Sequence, residues 1–238
     1  MGSAKFELIR DLAGVVAPAR CVVCGTPLAT GEDFLCVKCL WAMPRTFAHR
    51  RLISQFADPL ARIVPDARLA SWFRYRSDRP YHHIIHNIKY LDCPKLGVSA
   101  GAQFARELLP DGFFDGIDLI VPIPIPALRR FIRGYNQAEK IARGVGEATD
   151  IPVANILAEG FFRRSQVGLG SANRRANMSA SRFRVKDAAS LAGKHILLVD
   201  DVITTGSTMH SAAFALKSAQ PDITRISFLS LAMADGNF

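Results

Sequence analysis

Apolar positions along this chain recur at two spacings. Residues 67–76 (ARLASWFRYR) read as a strand or strand pair, and residues 196–199 (ILLV) are wholly apolar. Such a short apolar run marks a strand buried on both faces. Residues 118–121 form another short strand, stopped by Pro122 and Pro124, and residues 223–231 a last one. Between them, 81–90, 96–109, 136–148 and 207–218 read as helices, while 151–157 and 161–163 are further extended candidates. Strands alternating with helices predict an α/β domain with a mostly parallel sheet flanked by helices. Ligands of such sheets bind at the carboxyl ends of the strands.

Ahead of this domain, Phe6, Ile9, Ala13 and Val16 recur at helical spacing and predict one short amphipathic helix. The chain divides into an N-terminal helix and cysteine module (1–45), a connector (46–66) and the main domain (67–238). Trp41 and Phe47 are expected to join the module to the main domain. Neither a repeat nor a low-complexity tract is visible.

Composition changes this picture little. Hydrophobic residues make up 49% of the 238 and charged residues 21%, which excludes a largely disordered chain. No run approaches the roughly 18 apolar residues of a membrane span. Glu7 and Asp11 interrupt the apolar stretch a signal peptide would need, so the cytoplasm is the expected location.

Charge changes it more. The formal net charge is +9, and residues 129–184, with 11 basic and four acidic side chains, supply +7 of it. Such a field attracts phosphate esters, diphosphate or nucleic acid, although a solvated basic surface fits the same count.

Four of the five cysteines fall in two C-x-x-C pairs, Cys21/Cys24 and Cys36/Cys39, separated by 11 residues. Each pair places two thiolates on one tight turn, and two turns close a sulfur tetrahedron around Zn²⁺. Gly25 follows the first pair, where the turn calls for positive φ. Two disulfides are the alternative, disfavoured in a reducing compartment. Four thiolates leave no open coordination position, so the zinc is structural. Cys93, alone, is expected to pack.

Two weaker patterns point away from chemistry. His82, His83 and His86 lack the glutamate of a metalloprotease helix and read as surface or packing residues. Gly144-Val145-Gly146 lies inside a helical pattern and lacks the third glycine of a dinucleotide fingerprint.

The informative segment is residues 196–208, ILLVDDVITTGST. A buried strand delivers Asp200 and Asp201, then a loop of small hydroxyl residues and glycine leads into a helix. Thr204, Thr205, Gly206, Ser207 and Thr208 can aim backbone N–H groups and hydroxyls at one phosphate, aided by the positive end of the helix. Gly206 lets the backbone approach without a Cβ clash. Two carboxylates beside a phosphate repel it unless they face something else, such as the 2- and 3-hydroxyls of a ribose. A 5-phosphoribosyl group satisfies both halves.

This segment resembles the phosphoribosyl-pyrophosphate (PRPP) motif of type I phosphoribosyltransferases. Together with Val121-Pro122-Ile123-Pro124, Arg133-Gly134-Tyr135-Asn136-Gln137, Arg163-Arg164-Ser165-Gln166, Arg174-Arg175-Ala176-Asn177 and the cysteine module, it resembles the ComF family over nearly the whole chain. The resemblance implies a type I transferase fold with a zinc-ribbon-like module, PRPP binding with Mg²⁺, and a link to DNA uptake. Either a phosphoribosyltransferase of unknown acceptor is implied, or a nucleic-acid-handling protein that uses the same fold with little turnover. In the second case single-stranded DNA and competence or DNA-processing proteins are the partners.

On this resemblance Asp200 and Asp201 hold the ribose, directly or through Mg²⁺. The loop after an early strand, residues 122–133, holds the diphosphate, with Arg133 foremost and Arg129 and Arg130 helping. Gly134 turns the chain back into the next helix. Residues 165–177 are the closing loop, with Arg164 and Arg174 reaching phosphate, and Lys89 approaches the site. Each single Arg or Lys fits a solvated surface position as well. No segment is assignable to a purine, orotate or uracil acceptor, and the glutamine-hydrolysing half of an amidotransferase is missing.

Overall fold

The computed structural model describes residues 19–50, 64–90, 93–160 and 182–234. The expected N-terminal helix, residues 161–163, Arg164 and Arg174, and most of the connector lie outside the described residues.

The central sheet has four parallel strands in the order β1-β6-β5-β2: β1 Leu69–Tyr75, β2 Leu119–Pro122, β5 His195–Ile203 and β6 Arg225–Ala234. Parallel neighbours demand crossovers, and helices supply them. These are α2 His82–Tyr90, α3 Pro94–Leu108, α4 Ala127–Arg133, α5 Gln137–Thr149 and α6 Ser207–Ala219. Residues 152–154 add a short bridge beside β2 through Ile120. A two-stranded antiparallel ribbon, β3 Leu157–Glu159 with β4 Phe183–Val185, completes the described strands. Among the described residues of the N-terminal module there is one short α-helix, α1 Val37–Trp41. The expected α/β architecture is therefore the observed one.

The sheet is buried on both faces, which explains why β5 and β6 read as nearly continuous apolar runs. On one face Leu197, Val199, Leu229 and Leu231 pack with Ile84, Ile88, Phe104 and Ile141. On the other, Ile196, Leu198, Ile226 and Phe228 pack with Met209, Ala212 and Leu216 of α6.

Helices α3 and α5 approach so closely that only glycine fits at their crossing. A Cβ at Gly144 would lie 1.9 Å from the carbonyl oxygen of Val98, and one at Gly101 2.2 Å from that of Ile141. Gly144-Val145-Gly146 is thus a packing device within α5, not a nucleotide loop.

The cysteine module docks through Phe34, Leu35, Cys39 and Met43, which share one core with Trp72 and Phe73 of β1. Arg45 donates to both carboxylate oxygens of Glu107 on α3, and Trp72 Nε1 donates to Glu107 Oε2 at 3.1 Å. Tyr81 Oη donates to the carbonyl of Cys39 at 2.8 Å. Trp41 and Phe47, expected to join module to domain, do not: Trp41 is 82% exposed and Phe47 50%. Cys93, expected to pack, is exposed before the first turn of α3.

Candidate phosphate and ribose site

Strand β5 ends at the carboxyl edge of the sheet, and there the chain must turn sharply into α6. Gly206 makes that turn with φ +69°, a left-handed conformation that side chains resist. The turn leaves Thr204, Thr205 and Ser207 exposed, Thr208 half-buried, and the first N–H groups of α6 without helical acceptors. Thr205 Oγ1 donates to Ser207 Oγ at 3.1 Å across the turn. Hydroxyls, amide N–H groups and a helix N-terminus gathered in one turn are the donors that can hold an anion.

Asp200 and Asp201 lie immediately before this loop and inside the strand, which runs on to Ile203. The N–H of Asp201 donates to Asp200 Oδ1 at 2.8 Å. Burial first, and then the neighbouring Asp201 charge, push Asp200 up to about 7. Asp201 is paired: Lys89 Nζ lies 3.1 Å from Asp201 Oδ2, both ends mostly shielded from solvent. The structure thus brings together two of the residues that the sequence singles out, Lys89 and Asp201.

A second wall is built by the segment after β2. Ile123 N donates to the carbonyl of Val199, the residue before Asp200, so residue 123 sits beside the acid pair. Asn136 Nδ2 donates to the carbonyl of Ile123 at 3.0 Å, and Asn136 Oδ1 accepts from Ala138 N, capping α5. Tyr135 Oη donates to the carbonyl of Ile88 at 2.5 Å, next to Lys89. Gly134 makes the return into α5 with φ +76°, as the sequence predicts.

Arg133 is half-buried with its guanidinium 5.2 Å from the ring centroid of Tyr90. Arg129 and Arg130 are exposed on α4. That helix is a departure, since the sequence reading treats residues 122–133 as a loop. Leu128, Phe131 and Ile132 do carry helical spacing, the signal that could have revealed it. Arg182 is a residue that sequence reasoning did not single out. Its guanidinium donates to Thr208 Oγ1 at 3.3 Å, bringing a cation to the 204–208 turn from the residue just before β4. Nothing in its local sequence separates it from the other arginines of the basic stretch.

At the other end of α2 lies the cysteine cluster. The four Sγ atoms of Cys21, Cys24, Cys36 and Cys39 lie within 4.8 Å of one another. Cys24 and Cys36 Sγ are 3.7 Å apart, against the ~3.8 Å that a tetrahedron of Zn–S bonds of about 2.3 Å requires. Gly25 closes the first turn with φ +74°. Glu32 shapes the approach to the second pair by accepting from Ala29 N and Val37 N. The donor set fits a closed structural zinc site. His82, His83 and His86, by contrast, lie at or near the surface of α2.

The comparisons bear on the family. The phosphoribosyl transferase domain model matches residues 94–235. Competence protein F of Haemophilus influenzae is 33% identical over 198 residues, covering 83% of this chain and 78% of that protein. The chain belongs to the phosphoribosyl transferase domain family and groups with competence protein F. Its family extends to the DNA utilization protein YhgH of Escherichia coli K12, 24% identical over 217 residues, 84% of this chain and 91% of that protein. Competence protein ComFC of Bacillus subtilis is 30% identical over 110 residues, covering 46% of this chain and 41% of its own length.

Proposed function

We propose that this protein binds PRPP, or a closely related phosphoribosyl ligand, together with Mg²⁺. The observation that carries the reading is the joining of Asp200 and Asp201 to a phosphate loop with left-handed Gly206 at the start of α6. The loop hydroxyls and N–H groups take the 5-phosphate. The two carboxylates take the ribose hydroxyls, directly or with Mg²⁺, which supplies charge neutralisation for the diphosphate. In this reading Arg133 and Lys89 are the cations that meet the diphosphate, and Arg164 and Arg174 are the arginines of the loop that closes over it.

In transfer, the bond from ribose C1 to the diphosphate oxygen breaks and its electron pair leaves with the diphosphate. An acceptor nucleophile then forms the new bond to C1. Asp200 and Asp201 favour the positive charge that develops at the sugar. Positioning and electrostatics can supply most of such catalysis, so no acid–base triad is needed. Titration calorimetry with PRPP and Mg²⁺ tests the reading. Binding that is lost in Asp201→Ala and Gly206→Val supports it, and equal affinity in both variants refutes the site.

A second reading, a nucleic-acid-handling protein, is favoured by α4. Its apolar Leu128, Phe131 and Ile132 are 71–87% exposed and interleave with Arg129, Arg130 and Arg133. An exposed ring, Phe131, among arginines suits single strands, whose bases stack and whose phosphates need cations. The relatives' names, competence and DNA utilization, point the same way. The Cys21, Cys24, Cys36 and Cys39 cluster holds Zn²⁺ in either reading and shapes the module.

A further inference from the structure

Asn136 and Gln137 are two carboxamides side by side, and their situations are opposite. Both are buried, Asn136 at 4% exposure and Gln137 at 1%. Asn136 has both ends in use, its Nδ2 on the Ile123 carbonyl and its Oδ1 on the Ala138 amide. Among the described residues, neither Nε2 nor Oε1 of Gln137 has a hydrogen-bond partner. Buried polar atoms are almost always paired, because an unpaired one forfeits its bonds to water and gains nothing in return. A carboxamide left idle at both ends calls for a partner that arrives later.

Its place in the fold says where that partner comes from. Gln137 opens α5. The residue before it is tied to Ile123, and Ile123 N is tied to Val199, adjacent to Asp200. Tyr135, two residues before it, is tied to Ile88, adjacent to the Lys89 that pairs with Asp201. Helix α5 packs against β5, and Ile141, one turn after Gln137 on the same side of the helix, is fully buried in the core that holds Val199.

We propose that Gln137 is a further ligand-binding residue of this site: its carboxamide pairs with hydroxyl groups of the sugar held at Asp200 and Asp201. A carboxamide gives and accepts hydrogen bonds at once, as a hydroxyl does, whereas an ionised carboxylate such as that of the lysine-paired Asp201 only accepts. A glutamine side chain has the torsional freedom to turn from its buried position when the ligand arrives. The assignment rests on the phosphoribosyl reading above.

The test pairs two measurements on the full-length zinc-loaded protein. Gln137→Met keeps the length of the side chain and removes both polar atoms. It should raise the thermal midpoint by about 2–4 °C, the response of a chain this size to losing one buried unpaired group. It should also weaken PRPP binding in Mg²⁺ about tenfold or more. These opposite signs are the signature, since a structural glutamine loses stability and affinity together. Unchanged affinity overturns the assignment, as does weaker binding accompanied by a lower midpoint or a failure to fold. If the wild type itself binds no PRPP, the phosphoribosyl reading has failed and the assignment falls with it, an outcome distinguished by the wild-type titration alone.

Discussion

Lys89 Nζ lies 3.1 Å from Asp201 Oδ2, and this ion pair joins the last turn of α2 to the acid pair of β5. A lysine in that turn also complements the negative end of the α2 dipole. Removing it leaves two adjacent, mostly shielded carboxylates without their nearest cation. Lys89→Met should therefore weaken PRPP binding by roughly 1.5–3 kcal/mol, the range for a charged hydrogen bond, and lower folding stability by a similar amount. Lys89→Arg should recover part of both. Calorimetry and denaturant unfolding read the two effects, and a Met variant that binds and unfolds like wild type removes Lys89 from the site.

Zinc should be present at about one equivalent per chain in protein purified without chelator. Cys36→Ser should lose it. Because metal binding at such sites is coupled to folding, the damage should centre on the module and on the Tyr81–Cys39 bond that holds it to α2. Hydrogen exchange would show protection lost around Cys21 and Trp72 before β5. Native disulfides in place of metal would overturn this account.

His195 gives the fold a pH dependence of predictable sign. Its Nδ1 donates to the Gly116 carbonyl at 3.1 Å and its Nε2 accepts from Ser227 Oγ at 3.0 Å, so the ring is held neutral. Burial, then the Arg225 and Arg68 charges, bring it down to about 4. An unfolded histidine protonates near 6.5, so below that pH the unfolded chain binds the extra proton. The stability contribution is fully present above about pH 6.5 and declines as the pH falls toward 4. The loss is on the order of 2–3 kcal/mol. Unfolding free energies across this window should show the slope, and His195→Gln should flatten it.

Gly144→Ala should destabilise the protein although alanine is the better helix former by about 1 kcal/mol. The new methyl would meet the Val98 carbonyl, backbone that cannot swing aside. Overpacking of this kind costs about 1–3 kcal/mol, so a lower thermal midpoint is expected. A raised midpoint would mean that α3 and α5 are not packed this closely.

How much of this was legible in the sequence follows from which interactions are local. The residue types of 196–208 encode strand, turn and helix start within one continuous segment, so that strand–turn–helix could be read directly. The cysteine pairs likewise carry their geometry in their spacing. Long-range pairing is a different matter. That Lys89 meets Asp201, or that Arg182 reaches Thr208, depends on α2 and β4 docking from distant parts of the chain. Trp41 and Phe47 misled because a large apolar side chain suggests burial, while Phe34, Trp72 and the Arg45–Glu107 pair hold the module instead. Helix α4 was missed because its apolar face turns to solvent, where the usual inference from apolar spacing to core contact fails.

The outward apolar face of α4 leads to the last expectation, sequence-independent binding of single-stranded DNA that falls steeply with salt. The basic stretch from Arg129 to Arg184 supplies the charge, and Phe131, 87% exposed between Arg130 and Ile132, supplies a ring on which a base can stack. Two kinds of variant separate these contributions. Charge reversal at Arg129 and Arg130, or at Arg174 and Arg175, should lower affinity and also reduce the slope of log affinity against log salt. That slope falls by about one for each phosphate contact removed. Phe131→Ala should lower affinity by roughly 1–3 kcal/mol and leave the slope alone, because stacking releases no counterions. Zinc content should stay intact throughout, which excludes a general loss of structure. PRPP should compete with the strand where the two share the surface around Arg133. If DNA does not bind at low salt, or if affinity and slope survive every one of these changes, the basic face serves only diphosphate and solvent, and the transferase reading is left on its own.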